Sequence, residues 1–175
     1  KELWKRQLGK CHHIWGNAAS PVIWNDLVFL NFGPGDPTFL LAMNKTDGKD
    51  VWKVDIPGGL EGKKGEAWIG SWSTPVIGQF GGREELLMSW PGVLKAHDPK
   101  TGAVIWECAG LAKDKANDRL VYTSPIFGPD AVVAMAGYGG PGNGGRPGGQ
   151  RGVAESHRPR PHPTAPARFG FGGAL

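Results

Sequence analysis

Through residues 1–141 the apolar positions come in short runs rich in β-branched and aromatic side chains. Each run is bounded by Gly, Pro, Asn or Asp, the pattern of strands joined by tight turns. In the first full unit PVIW (21–24) turns at Asn25-Asp26 into LVFLNF (27–32), and the loop GPGDP (33–37) leads to TFLLAM (38–43). In the second, PVIGQF (75–80) turns through Gly81-Gly82-Arg83 into ELLMSW (85–90). Pro91-Gly92 turns that strand into VLKAHD (93–98), and AVIWECA (103–109) comes next. In a third, SPIF (124–127) turns at Gly128-Pro129-Asp130 into AVVAMAGY (131–138), where the pattern stops after two strands. Residues 1–10 (KELWKRQLGK) read as the last strand of a preceding unit. The connections 55–73 and 109–123 are long and fall at the same place in their units, where function or interface shaping concentrates. A short helix over 111–118 fits within the second.

The units are copies of one another. AHDPKTGAVIW (96–106) and AMNKTDGKDVW (42–52) share a frame in which Ala96, Asp98, Thr101, Gly102 and Trp106 match Ala42, Asn44, Asp47, Gly48 and Trp52. The opening Lys1-Glu2-Leu3-Trp4 matches the residues after the turn glycine. Ser20-Pro21-Val22-Ile23, Thr74-Pro75-Val76-Ile77 and Ser124-Pro125-Ile126-Phe127 recur in phase, with prolines 54 and 50 residues apart and tryptophans 48 and 54 apart. That period with four short strands predicts blades of a β-propeller. The expected fold is therefore all-β: a partial propeller of four-stranded antiparallel blades, about two of them full, with partial ones at either side.

Turn chemistry accounts for the residue types of the frame. Asp98 and Asn44 can accept backbone N–H bonds across the turn, and Gly102 and Gly48 supply the positive φ that a tight connection needs. Ala96 and Ala42 are small where a large neighbour must fit. Trp4, Trp52 and Trp106 are the candidates for that neighbour, packing flat between adjacent blades with the indole N–H on a carbonyl.

Charge changes the picture only in the tail. Residues 1–141 hold 15 Lys and Arg against 15 Asp and Glu, whereas residues 142–175 hold five arginines and one glutamate, the whole formal excess of +4. Basic charge confined to such a segment does not make a nucleic-acid surface. The same 34 residues contain nine glycines and five prolines, a composition that buries too little apolar surface to offset its ordering entropy. They are expected to be a disordered, low-complexity tail or an artefactual end, and residues 1–141 the propeller fragment. No run of about 18 apolar residues provides a membrane helix, and no signal peptide opens a chain that begins in mid-motif. Cys11 and Cys108 stand in non-equivalent contexts and read as unpaired, buried thiols.

Other chemical signals fail on context. His12 and His13 point to opposite faces if they lie on a strand, which disfavours a shared metal. His97 is expected to face solvent, and Asp98 to close the turn rather than act as a base. Residues 137–142 match GxGxxG, but no helix comes after them, so the dinucleotide reading fails. The glycine- and lysine-rich 58–65 segment lacks the phosphate-loop pattern. Trp68, Trp72 and Trp90 lie outside the docking frame and read as packing between blades, with a sugar or peptide surface as the alternative.

The frame Ala-x-Asp-x-x-Thr-Gly-x-x-x-Trp resembles the tryptophan-docking repeat of the pyrroloquinoline-quinone-like (PQQ-like) β-propellers, and the resemblance covers about residues 1–141. That family includes quinoprotein dehydrogenases and a non-enzymatic propeller lipoprotein of outer-membrane protein assembly. The dehydrogenases carry an adjacent cysteine pair, a calcium site and an aspartate base. This chain has no adjacent cysteines and no acidic cluster that maps onto the calcium site. The resemblance therefore implies a non-enzymatic scaffold or sensor module without cofactor, periplasmic or extracellular, binding protein through loops 55–73 and 109–123. A fragment of a PQQ- and calcium-dependent alcohol or sugar dehydrogenase is the second reading. An open set of blades, lacking the other blades of its parent, is expected to be marginal in isolation.

Overall fold

A computed structural model of the chain describes residues 1–11, 13, 15–35, 37–56, 70–80, 82–109, 111, 120–127, 131–135 and 153–157. Every regular element among them is a strand. The first sheet is an antiparallel meander of β1 (Val22–Trp24), β2 (Leu27–Phe32), β3 (Phe39–Asn44) and β4 (Asp50–Asp55). After a two-residue strand β5 (Gly70–Ser71) comes a second meander of β6 (Val76–Phe80), β7 (Arg83–Trp90), β8 (Val93–His97) and β9 (Val104–Ala109). A short β10 (Leu120–Val121) precedes the third sheet, β11 (Ile126–Phe127), β12 (Ala131–Met135) and β13 (Val153–His157). The four-stranded blades expected from the repeat are present, and the helix expected over 111–118 lies almost wholly outside the described residues.

Registers match between the two full blades residue for residue. Phe29 lies opposite Ala42 and Leu87 opposite Ala96, while Ala42 lies opposite Trp52 and Ala96 opposite Trp106. Both outer pairings slip by one residue at the same place, between Ala42 and Met43 and between Ala96 and His97. An extra residue there turns the strand into the glycine-bearing connection.

Alternation along each strand then decides the cores. On β2 and β3, Val28, Phe32, Phe39, Leu41 and Met43 face backward, onto Trp4, Leu8 and Cys11. Phe29, Leu40 and Ala42 face forward and pack with Leu86, Met88 and Trp90 of the second blade. That blade's other face, with Leu87, Leu94, Ala96 and Cys108, packs on Val132 and Ala134 of the third sheet. Period-two side chains thus feed two interfaces per blade, and each core lies between blades rather than within one.

The recurrent Ser/Thr-Pro corner stitches the blades. Ser20 N–H donates to Thr74 Oγ1 (3.0 Å), and Thr74 N–H donates in turn to Ser124 Oγ (2.9 Å). Just before these corners β5 and β10 pair in parallel, Gly70 with Leu120 and Ser71 with Val121. Asn31, fully buried, donates through Nδ2 to the carbonyls of Ser71 (2.7 Å) and Ser73 (3.0 Å), so the first blade grips the entry to the second.

Two expectations change. Residues 1–10 form no strand: their place beside the first blade is kept by Trp4, Leu8 and Arg6, and among the described residues no strand pairs with them. Beyond residue 141, where no strand was expected, β13 lines up antiparallel to β12, with Met135 opposite Val153 and Ala131 opposite His157. An open edge of unpaired N–H and C=O groups accepts any extended segment within reach. Residues 136–152 and 158–175, most of the predicted tail, lie outside the described residues. No helix among those described is long and apolar enough to cross a membrane.

Candidate functional site

The repeated turn was the strongest candidate, and its geometry is the same in both copies. Gly48 N–H donates to Asn44 O (2.9 Å) and Gly102 N–H to Asp98 O (2.8 Å); Asn44 N–H returns to Lys49 O and Asp98 N–H to Ala103 O, both 2.8 Å. Asn44 Oδ1 accepts from Thr46 N–H (2.8 Å), and Asp98 Oδ1 from Lys100 and Thr101 N–H (2.8 and 3.1 Å). Where the second copy has Thr101, whose hydroxyl accepts Ala103 N–H (3.3 Å), the first has Asp47, which accepts Lys49 N–H (3.0 Å). That N–H, with the Lys49 ammonium, holds the Asp47 carboxyl below the usual carboxylate range. Two chemically different sequences close one turn.

Each turn also receives a tryptophan from the unit before it. Trp4 donates its indole N–H to Lys45 O (2.8 Å), and Trp52 donates to Pro99 O (2.9 Å). The turn glycines lie directly under the rings: a Cβ on Gly48 (φ +70°) would stand 2.7 Å from Trp4 Cε3, and one on Gly102 (φ +75°) 2.7 Å from Trp52 Cε3. Glycine is thus required twice over, for backbone sign and for contact. Arg6 adds a bond to Gly48 O (2.7 Å) and an ion pair with Asp50. The third tryptophan departs from the expected carbonyl. Trp106 donates instead to Glu85 Oε2 (2.6 Å) in its own blade, because among the described residues no turn of a following blade stands beside it. Glu85, itself buried, is held by Arg83 at 2.7 Å.

His97 is a correction. It was expected at the surface, but alternation along β8 puts it opposite Leu86 and on the face turned to the first blade, where it is fully buried. A carbonyl can only accept, so Nδ1 carries the proton in the 2.9 Å bond to Gly102 O, and Nε2 has no partner among the described residues. Burial, with the nearby Lys95 charge, pushes its pKa below the ordinary histidine value, against a smaller upward pull from the Gly102 carbonyl. Met43 occupies the matching place in the first blade.

A second grouping was only half legible. The lead-ins to three successive blades bring His13, Trp15, Trp72 and Tyr122 together. Trp72 stacks on Tyr122 (5.0 Å, 9°), lies 5.8 Å from Trp15, meets His13 edge-on at 4.6 Å and donates its indole N–H to Gly16 O (2.9 Å). Trp72 is buried, while Trp15 is 67% and Tyr122 40% exposed. Burial lowers the His13 pKa. Sequence reasoning singled out Trp72 but not Trp15 or Tyr122; for Tyr122 the available signal was its position two residues before a Ser/Thr-Pro corner, which Trp72 shares.

The other candidates scatter. Trp90 is buried at the first interface, and Asn31, a residue the sequence did not flag, sits at the same interface. Cys11 and Cys108 are unpaired and belong to different interblade cores; burial raises the Cys108 thiol pKa. Among the described residues no three His, Cys, Asp or Glu side chains gather as metal ligands. His12, Trp68, the 58–65 and 137–142 segments and most of both long loops lie outside the described residues.

No protein-family model and no curated protein matches the chain. Among solved structures it is similar to BamB from Moraxella catarrhalis, at 20% identity and a TM-score of 0.55, over 81% of this chain and 37% of that one. It is similar also to the quinohemoprotein alcohol dehydrogenase ADHIIG from Pseudomonas putida HK5 (19%, TM-score 0.54, 81% and 19% of the two chains). The quinohemoprotein alcohol dehydrogenase from Comamonas testosteroni stands at 16% and 0.54, over the same shares. The chain spans well under half of each. At these identities the likeness shows the fold, a propeller of the PQQ-like kind, and that alone.

Proposed function

We propose that the chain is part of a non-enzymatic PQQ-like propeller that serves as a protein-interaction scaffold or sensor module outside the cytoplasm, without a cofactor. The observation that carries this is what the repeated frame does with its polar atoms. Asn44, Asp47, Asp98 and Thr101 each accept a backbone N–H inside their own turn, and the indoles of Trp4 and Trp52 are held by the next blade. The frame's side chains hold blades together, and the partner is assigned instead to the connections 55–73 and 109–123, whose length in sequence exceeds that of the other turns. Trp4, Ala42, Asn44, Gly48, Trp52, Ala96, Asp98, Thr101, Gly102 and Trp106 are structural under this reading.

The alternative, a piece of a quinone-dependent dehydrogenase, has the likeness to two such enzymes in its favour. The described residues do not fit its cofactors: Cys11 and Cys108 sit in separate cores, and the acidic side chains of the frame are engaged in turns. The two readings part in one experiment. The chain is titrated with pyrroloquinoline quinone and calcium, and dye-linked oxidation of alcohols and sugars is monitored. Turnover, or saturable quinone binding, overturns the scaffold reading. A photo-crosslinker placed within 55–73 or 109–123 should give one discrete protein adduct in the native compartment that an equivalent probe on β4 does not.

A further inference from the structure

The buried histidines among the described residues are His13 and His97, and they stand in different surroundings. His13 meets the lead-in ring of Trp72 edge-on, whereas His97 lies on the face of β8 that the second blade turns to the first. The matching residue of the first blade is Met43, which takes up no proton and packs backward with Trp4. The Trp4 joint and the Trp52 joint are thus built alike but for one ionisable base. That base is tied to the turn that receives Trp52. His97 Nδ1–H donates to Gly102 O (2.9 Å), Trp52 Nε1–H donates to Pro99 O (2.9 Å), and a Cβ on Gly102 would stand 2.7 Å from the Trp52 ring. The other ring nitrogen, Nε2, is buried and has no hydrogen-bond partner among the described residues. The charged groups around it are engaged elsewhere. On its own strand Lys95 shares its face and pairs with Glu107 of β9 (3.1 Å). On β7 the carboxylate of that face is Glu84, two residues from the register partner Leu86; its Oε1 accepts the Trp24 indole N–H (2.8 Å). In the turn, Asp98 Oδ1 accepts Lys100 and Thr101 N–H. The first blade presents the apolar side chains of Phe29, Leu40 and Ala42.

We propose that the joint between the first two blades is an acid-operated latch: protonation of His97 releases the Trp52 indole from the 98–102 turn and opens that joint, while the Trp4 joint stays closed. An imidazolium in this core carries an N–H without an acceptor and a second positive charge beside Lys95, so it must reach water. Through its Nδ1 bond to Gly102 O the turn moves with it, and Trp52 loses Pro99 O. The closed joint holds the His97 pKa below the ordinary value near 6.5, and opening restores it. The open form therefore binds the extra proton and gains population as pH falls. One proton shifts such an equilibrium by at most about tenfold for each pH unit below about 6.5, which is about 30-fold at pH 5. The latch does not rest on the scaffold reading, because only contacts within the chain enter it or its test.

Indole N–H exchange in the full chain, read by heteronuclear NMR, compares the two docked tryptophans. The signals are assigned by the through-space contacts of Trp4 to Gly48 and of Trp52 to Gly102, so the comparison needs no substituted chain. Between pH 7.5 and 5.0 the protection factor of the Trp52 indole should fall by about fivefold to 30-fold, while that of Trp4, held by Lys45 O, should change less than about twofold. Far-UV circular dichroism should stay the same over that range, since one joint opens and no blade unfolds. His97→Met, which copies Met43, should make Trp52 behave as Trp4 does. His13→Gln should leave the Trp52 response in place. Equal losses of protection at Trp4 and Trp52, a global loss of far-UV signal, or no response at Trp52 down to pH 5.0 overturns the proposal. So does a Trp52 response that survives His97→Met or disappears with His13→Gln.

Discussion

Replacing Gly102 by alanine should cost far more than the same change at Gly82, although both glycines have nearly the same backbone sign. Gly82 has φ +82° and nothing within 4 Å of the place a Cβ would take; Gly102 has φ +75° and Trp52 Cε3 and Cδ2 at 2.7 and 2.8 Å. Left-handed backbone costs an L-residue about 1–2 kcal/mol, which is the whole expected effect at Gly82. At Gly102 the methyl group must also displace the indole from Pro99 O and from the first interblade core, and loss of a packed tryptophan is worth about 3–5 kcal/mol. The chain can relax in part, so about 3–5 kcal/mol in total is expected for Gly102→Ala. With urea slopes of about 1–3 kcal/mol per molar, the two variants should differ in midpoint by about 1 M or more. In a Trp52→Ala background the ring is gone, and Gly102→Ala should then cost only the backbone term, about 1–2 kcal/mol. Equal costs for Gly82→Ala and Gly102→Ala, or a cost at Gly102 unchanged by Trp52→Ala, would refute the claim that this glycine exists to receive the ring.

Three further outcomes are expected. His97 has a folded pKa below its unfolded value near 6.5, so the unfolded chain binds more protons between the two. Its contribution to stability is therefore complete above about pH 6.5 and declines as pH falls below it. His97→Met, copying Met43, should flatten the fall in urea midpoint between pH 7.5 and 5.5, leaving the smaller slope that His13 contributes; a slope unchanged by the substitution would show that His97 does not set it. Asn31→Ala should destabilise by about 1–3 kcal/mol by leaving two buried carbonyls short of a donor, and should speed amide exchange at Trp72 and Ser73, whereas a surface-like effect below about 0.5 kcal/mol would contradict the buried grip. Thr74→Val keeps the shape but removes the oxygen that Ser20 N–H meets. Hydrogen exchange should quicken at Ser20 while Thr74 N–H, held by Ser124, stays protected; equal acceleration at both would show the corners opening as one unit.

Much of this architecture is legible along the chain because a repeat states the same local problem more than once. Gly48 beside Gly102, and Asn44 beside Asp98, identify turn chemistry by agreement in residue type, and period-two runs such as Leu27–Phe32 and Arg83–Trp90 supply the strands. What the repeat expresses poorly is any position where copies differ. His97 stands where Met43 stands, and its polar residue type hides a place on the buried face that it shares with its register partner Leu86. Trp106 has the same place in its frame as Trp4 and Trp52, yet its indole proton goes to Glu85, because its partner is chosen by what stands beside it in space.

The local turn, the strand period and the blade repeat were therefore determined by sequence alone, since the turns and strand pairs of a full blade join near residues, at most 17 apart as Leu27 and Asn44 are. Which faces meet across blades, the burial of His97, the grip of Asn31 on the following entry strand and the gathering of Trp15, Trp72 and Tyr122 were decided only by the tertiary structure. Those contacts join residues 40 to 56 positions apart or more, and such pairings depend on how one blade is rotated against the next. The aromatic group shows the division most plainly: each ring is an ordinary residue ahead of a Ser/Thr-Pro corner, and the rings meet only when the three lead-ins are brought together.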